Sequence, residues 1–265
     1  MDRTHNNDGA DLADAIGIVY EDAWLLAADK PAGLLVHGDG TGAPALADLV
    51  RERLRAAGEP DAAAQLQPVQ RLDVDTTGLV LFSKDKAVQP ALDALVATHG
   101  AGGIRKRYLA VVRGAWPEGM HEVDAPLARD RHNARRMRVA AGGKPSRTLV
   151  SRVAVCGPRG GLLSLLVVEL ESGRRHQIRV HLASRGLPIM GDALYGVPSD
   201  RRPGWRGGSG GAVTGSGGAG TPLMLHAWAE DLTHPVTGKR LALRTEVPVR
   251  FSECFPEAEA LLSRM

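Results

Sequence analysis

The stretch VQRLDVDTTGLVLFSKD, residues 69–85, decides how the rest of the chain is read. Its second half, GLVLFSKD (78–85), is a short apolar run bounded by turn residues, the pattern of a buried strand. Its first half, from Arg71 through Asp73, Asp75, Thr76 and Thr77 to Gly78, is a polar turn. A carboxylate at the mouth of a buried strand, beside an arginine, can be held ionised and aimed at a substrate. Asp73 suits an Asx turn or a helix cap equally well, and the two threonines suit turn formation. At the N-terminal side, GIVYED and AWLLAADKPAG (17–33) predict two strands, and ALADLVRERLRAAG (45–58) carries the apolar stripe of a helix closed by Gly58. AVQPALDALVATHG (87–100) predicts a second helix.

Further along, KRYLAVVRG (106–114) alternates as a strand does, while SRTLVSRVAVCG (146–157) and GLLSLLVVELES (161–172) read as a hairpin. RRHQIRVHLASRG (174–186) is expected to run from a strand into a short helix, and 225–248 to form two strands joined through Pro-Val-Thr-Gly. Strands and helices mix without a regular βαβ alternation. The expected class is therefore α+β: one domain over residues 15–257 with a mixed, largely antiparallel central sheet flanked by helices and loops. Residues 1–14 are expected to be a flexible tail, 204–220 a flexible Gly-rich insert and 258–265 a C-terminal tail. The insert matches a nucleophile elbow and a dinucleotide-binding glycine pattern by accident, because neither match lies between a strand and a helix.

The 265 residues are 43% hydrophobic and only 4% aromatic, so Ala, Val and Leu must fill the core. Two cysteines, Cys156 and Cys254, exclude a disulfide scaffold and a paired-cysteine zinc site, and they suit a reducing, cytoplasmic compartment. No apolar run is long enough to span a membrane, and the acidic start lacks the features of a secretory signal. The net charge of +3 hides a strong segregation. Residues 1–100 hold 8 basic and 16 acidic side chains, whereas 101–152 hold 12 basic and 4 acidic. The run RDRHNARRMR (129–138), with Arg135, Arg136 and Arg138, makes a polyanion such as nucleic acid the leading partner. A solvated charged surface is the plainer alternative.

If ESGRRHQIRVH (171–181) is a strand, Arg175, Gln177 and Arg179 share one face and Arg174 and His176 the other. Converging arginines suit a carboxylate or phosphate partner. His176 and His181 fall on opposite faces and make poor co-ligands, so no metal site is expected.

Taken together, QRLDVDTTG, KRYLAVVRG, SGRRHQIRVHLASRGLPIMGDALYG and the opening and closing segments resemble the RluA-type pseudouridine synthases over residues 16–256. The resemblance implies that family's fold and the isomerisation of a uridine in structured RNA, ribosomal or transfer. Asp73 matches the family's essential aspartate, Arg179 the arginine that pairs with it, and Tyr108 the tyrosine that packs on the target base. Arg71 matches the arginine that helps fill the space left by the displaced base. Gln70, Thr77, Arg174, His176 and Gln177 are expected at the substrate, with Arg135, Arg136 and Arg138 gripping RNA. No cofactor and no obligatory protein partner are implied. Three positions depart from the pattern: Gln70 stands where the family usually has His, Thr77 where it has Ser, and Arg175 where it has Thr or Ser. These departures touch substrate identity more than chemistry. Two competing readings are an idle RNA-binding protein of the same fold and a hydrolase using Asp73 and Asp75 as a carboxylate pair. For the hydrolase, Asp75→Asn should be as damaging as Asp73→Asn.

Overall fold

A computed structural model describes residues 16–98, 102–157, 161–196 and 221–265. The expected N-terminal tail (1–14) and Gly-rich insert (204–220) lie outside the described residues. The chain divides into two compact units, Met1–Arg105 with Ala229–Thr245, and Lys106–Trp228 with Glu246–Met265.

In the first unit, the apolar segment LLAAD becomes β2 (Leu25–Lys30), antiparallel to β1 (Gly17–Glu21) on one side and to β4 (Thr77–Ser83) on the other. Every residue of β4 is buried. The two-residue strand β3 (Gln67–Pro68) pairs with the far end of β4, so the chain from 69 to 76 loops out and returns at Thr77. The amphipathic stripe of α1 (Leu46–Ala56) buries Leu46, Leu49, Val50 and Leu54 in one cluster with Leu26, Ala28, Val80 and Phe82 of the sheet. Ala63 of α2 (Pro60–Gln65), a helix with proline at its start, joins the same cluster. Helix α3 (Gln89–Ala97) likewise carries Pro90 in its first turn.

In the second unit, β5 (Arg105–Arg113), β10 (Leu163–Leu170), β9 (Arg147–Cys156) and β6 (Glu122–Asp124) lie side by side, each antiparallel to the next. A separate hairpin, β7 (Leu127–Arg129) and β8 (Met137–Val139), carries the arginine-rich turn between its strands. Strand β11 (Leu225–Thr233) follows the 221–224 segment and divides between the units at Ala229. Its second half pairs with β12 (Arg240–Arg244). The arrangement is α+β.

Two expectations change. Residues 174–176 are a turn and α4 begins at Gln177 and runs to Ser184, so Arg175, Gln177 and Arg179 do not share a strand face. The cause is local. His176 takes a left-handed conformation (φ 55°), which turns the chain sharply into the helix. Gln177 Oε1 then accepts from the Arg174 N–H (3.1 Å) and from Ser172 Oγ (2.8 Å), closing the turn. Second, the expected C-terminal tail opens with helix α6 (Ala258–Leu262), preceded by the short α5 (Val249–Ser252), and buries Ala258 and Leu262.

Candidate active site

The Asp73 turn belongs to the first unit. The Thr76 N–H donates to the Asp73 carbonyl at 3.1 Å, and Thr76 and Thr77 are buried as β4 begins. The Val74 carbonyl accepts from the Gly33 N–H (2.9 Å) and from Lys30 Nζ (2.8 Å). Lys30 is fully buried at the end of β2 and donates further to the carbonyls of Pro31 (2.9 Å) and Leu34 (2.7 Å). One ammonium thus ties the Pro-Ala-Gly turn to the residue following Asp73. Burial pulls the Lys30 amine down to about 8, against the opposing charges of Asp75, Asp73 and Asp29. Lys30→Met should take the ammonium from the Pro31 and Leu34 carbonyls, leave Val74 with the Gly33 N–H alone, and lower unfolding stability by about 2–4 kcal/mol, read as the urea midpoint. A midpoint unchanged within error would mean the turn holds without it.

Asp73 is half-buried while Arg71 and Asp75 are exposed. Because β4 starts only at Thr77, Asp73 and Asp75 precede the strand, so strand alternation does not set them on one face as a carboxylate pair. Gln70, the departure from the usual His, donates through Nε2 to Glu230 Oε1 on β11, and Glu230 is buried. The substituted position therefore has its own carboxylate acceptor.

The second unit holds Tyr108 and Arg179. Tyr108 is buried on β5 opposite Val168, and its neighbour Arg107 lies over the Trp228 ring at 5.7 Å. Arg179, buried on α4, makes a bidentate ion pair with Asp192, Nε to Oδ2 at 2.7 Å and Nη2 to Oδ1 at 2.8 Å. The Leu194 and Tyr195 N–H groups also donate to Asp192 Oδ1 (2.8 and 2.9 Å). Burial works against the Asp192 carboxylate, yet the Arg179 bonds and charge and these two amides outweigh it and hold its carboxyl below the ordinary value. Gly191 (φ +77°) makes the approach possible, since a Cβ there would sit 2.0 Å from the Pro222 carbonyl.

A chain of hydrogen bonds fixes α4 from beneath. Gln177 Nε2 donates to the Arg147 carbonyl (2.9 Å) and to Thr148 Oγ1 (3.0 Å). Thr148 Oγ1 meets His181 Nδ1 at 2.8 Å, and His181 Nε2 meets the Ala125 carbonyl at 2.9 Å. Burial pushes the His181 imidazole down, which favours the neutral ring between these two partners. Gln177, expected at the substrate, spends both ends of its amide on this scaffold. Arg174 is exposed, and His176 Nδ1 lies 2.8 Å from the Tyr195 hydroxyl. Of the hairpin arginines, Arg135 and Arg138 are exposed, whereas Arg136 folds over the Tyr195 ring at 5.0 Å. Among the described residues no cluster of His, Cys, Asp or Glu could hold a metal ion, and no helix is long and apolar enough to cross a membrane.

Four residues here escaped the sequence reading: Lys30, Asp192, Tyr195 and Glu230. Lys30 and Asp192 left a signal, each a charge at the edge of an apolar run. Glu230 and Tyr195 left none.

Similarity to known proteins gives this α+β scaffold its class, an RNA-modifying enzyme. The family model for RNA pseudouridylate synthase matches residues 25–184. The chain is 38% identical over 242 residues to the ribosomal large subunit pseudouridine synthase C of Escherichia coli, covering 91% of this chain and 68% of that protein. It is 32% identical over 239 residues to an uncharacterized RNA pseudouridine synthase of Bacillus subtilis, covering 88% and 69%. The solved structure of human RNA pseudouridylate synthase domain containing 4 has the same fold, with a TM-score of 0.71 at 24% identity over 94% of this chain and 95% of that one. The chain belongs to the RluA-type RNA pseudouridine synthase family, isomerases of uridine in RNA.

Proposed function

We propose that the chain converts a specific uridine of ribosomal or transfer RNA to pseudouridine in the cytoplasm, without a cofactor or an obligatory protein partner. The N1–C1′ bond breaks, C5 bonds to C1′ in its place, and the C5 proton is lost while N1 gains one. No electrons enter or leave, so no redox group is needed. Asp73 is the carboxylate that acts on the nucleotide, Tyr108 packs on the base, and Arg179 supplies the positive charge. Arg71 and Thr77 border Asp73, and Arg174, Arg135 and Arg138 meet phosphates. The observation that carries the reading is the Asp73 turn, clamped through Val74 to Lys30 inside the span that the family model matches. Flipping the uridine out of its stack costs a few kcal/mol, which phosphate contacts to the arginine-rich hairpin offset.

A pseudouridine map of total RNA from a strain lacking the gene, and from the same strain complemented, tests this directly. A site lost on deletion and restored by the wild-type gene supports the reading and names the substrate; a map unchanged by deletion overturns it. Replacing exposed Arg135 and Arg138 by Gln should weaken RNA binding and reduce the slope of log K against log salt by about 1.4–1.8, at about 0.7–0.9 per phosphate contact. An unchanged slope would confine both arginines to solubility.

A further inference from the structure

Tyr195 sits where three elements of the second unit meet, and no step of the proposed chemistry uses it. Its ring lies under two guanidinium groups, Arg136 of the hairpin turn at 5.0 Å and Arg179 of α4 at 5.4 Å. Its hydroxyl accepts from the Met137 N–H at 2.7 Å, the first residue of β8. The same hydroxyl lies 2.8 Å from His176 Nδ1, and the two rings are edge to face. Since the hydroxyl oxygen already accepts from Met137, its own proton is free to go to His176 Nδ1. Tyr195 is in turn fixed by Asp192, which takes its backbone N–H and grips Arg179. Two cations on one aromatic ring would repel each other, and the Asp192 carboxylate beside Arg179 relieves that repulsion. The side chains of Arg131, His132, Asn133, Ala134 and Arg135 are all exposed, and Arg175 Nη2 reaches the Arg135 carbonyl at 3.5 Å.

We propose that Tyr195 is a positioning residue that couples the arginine-rich hairpin to Arg179, so that the RNA grip and the buried cation are set by one side chain. The inference rests on the proposed RNA-modifying function and deepens it. The hydroxyl sets the hairpin through Met137. The ring sets Arg179 and Arg136.

The two parts separate experimentally. Wild type, Tyr195→Phe and Tyr195→Leu are compared for pseudouridine formation on ribosomal RNA purified from a strain lacking the gene, with amide hydrogen exchange at Met137 measured on the same proteins. Tyr195→Phe keeps the ring and loses the hydroxyl. It should raise KM about tenfold, leave kcat within about twofold and speed exchange at Met137 about tenfold, the effect of one lost hydrogen bond. Tyr195→Leu should raise KM similarly and also lower kcat by tenfold or more, because Arg179 loses the face it rests on. A Tyr195→Phe protein with wild-type KM and wild-type exchange at Met137 overturns the inference while the proposed function stands. So does a KM that rises with no change at Met137. If the wild type forms no pseudouridine on this RNA or on transfer RNA from the same strain, the function reading falls. Filter binding of the same RNA, read beside Met137 exchange, then decides the coupling: both must move together in Tyr195→Phe for it to survive.

Discussion

Asp73→Asn is expected to lower kcat by at least about 10⁴-fold while leaving RNA affinity within about twofold. The substitution is isosteric and removes only the charge. The turn around it is made by backbone groups, the Thr76 N–H on the Asp73 carbonyl and Lys30 on the Val74 carbonyl, so the fold should survive. A 10⁴-fold loss is about 5.5 kcal/mol of transition-state stabilisation, more than a lost hydrogen bond supplies and of the size expected for removing a reacting group. Asp75→Asn is the control. Asp75 is exposed, two residues along the same turn, and its loss should cost less than about tenfold. Equal losses at both positions would revive the carboxylate-pair hydrolase. Unchanged conversion by Asp73→Asn would take the reaction away from Asp73 altogether.

How the chain revealed itself follows the range of each interaction. The helix stripe at 45–58, the buried strand at 78–85 and the hairpin at 146–172 rest on periodicity within one element, and α1, β4, β9 and β10 stand where that periodicity put them. The segment at 174–181 defeated the same logic. Its alternating pattern imitates a strand, but the left-handed His176 and the Gln177 amide divert the backbone into a helix. The left-handed His176 is steadied by the Tyr195 hydroxyl nineteen residues away, 2.8 Å from its Nδ1. The hairpin β7–β8 hid because its strands are three residues each and its turn is nearly all charge. At the site, residue identities could be matched to a family, yet their partners could not. Gln70 finds Glu230 across 160 residues of chain, and only the fold brings them together. The family match assigns Arg179 to Asp73; the aspartate on which the structure shows its guanidinium held is Asp192.

That second aspartate makes Arg179→Met the most consequential change to stability. The Asp192 side chain is completely buried and Arg179 nearly so. Breaking a buried pair from one side leaves the other charge uncompensated, at a cost of about 3–5 kcal/mol. Methionine fills much of the volume, so the loss is chiefly electrostatic. Adding Asp192→Asn should recover about half of it. The Asn oxygen still accepts from the Leu194 and Tyr195 amides, and the orphaned charge is gone. Activity should stay lost in both variants, because neither restores a cation at 179. The pH dependence gives an independent sign. In the wild type the Asp192 carboxyl is held below its ordinary value, so its contribution is present above the unfolded carboxylate range and lost as the pH falls through its folded value. Without Arg179, burial dominates and raises that carboxyl instead. The folded single variant then binds a proton more tightly than its unfolded chain, so its stability falls as the pH rises from about 4 to about 7. Between pH 4.5 and 7.5 the Asp192 contribution should therefore leave the wild-type urea midpoint nearly unchanged while the Arg179→Met midpoint falls, and the double variant should remove that fall. A single variant that loses less than about 1 kcal/mol, or a double variant no more stable than it, would mean the pair is solvated and does not brace Arg179.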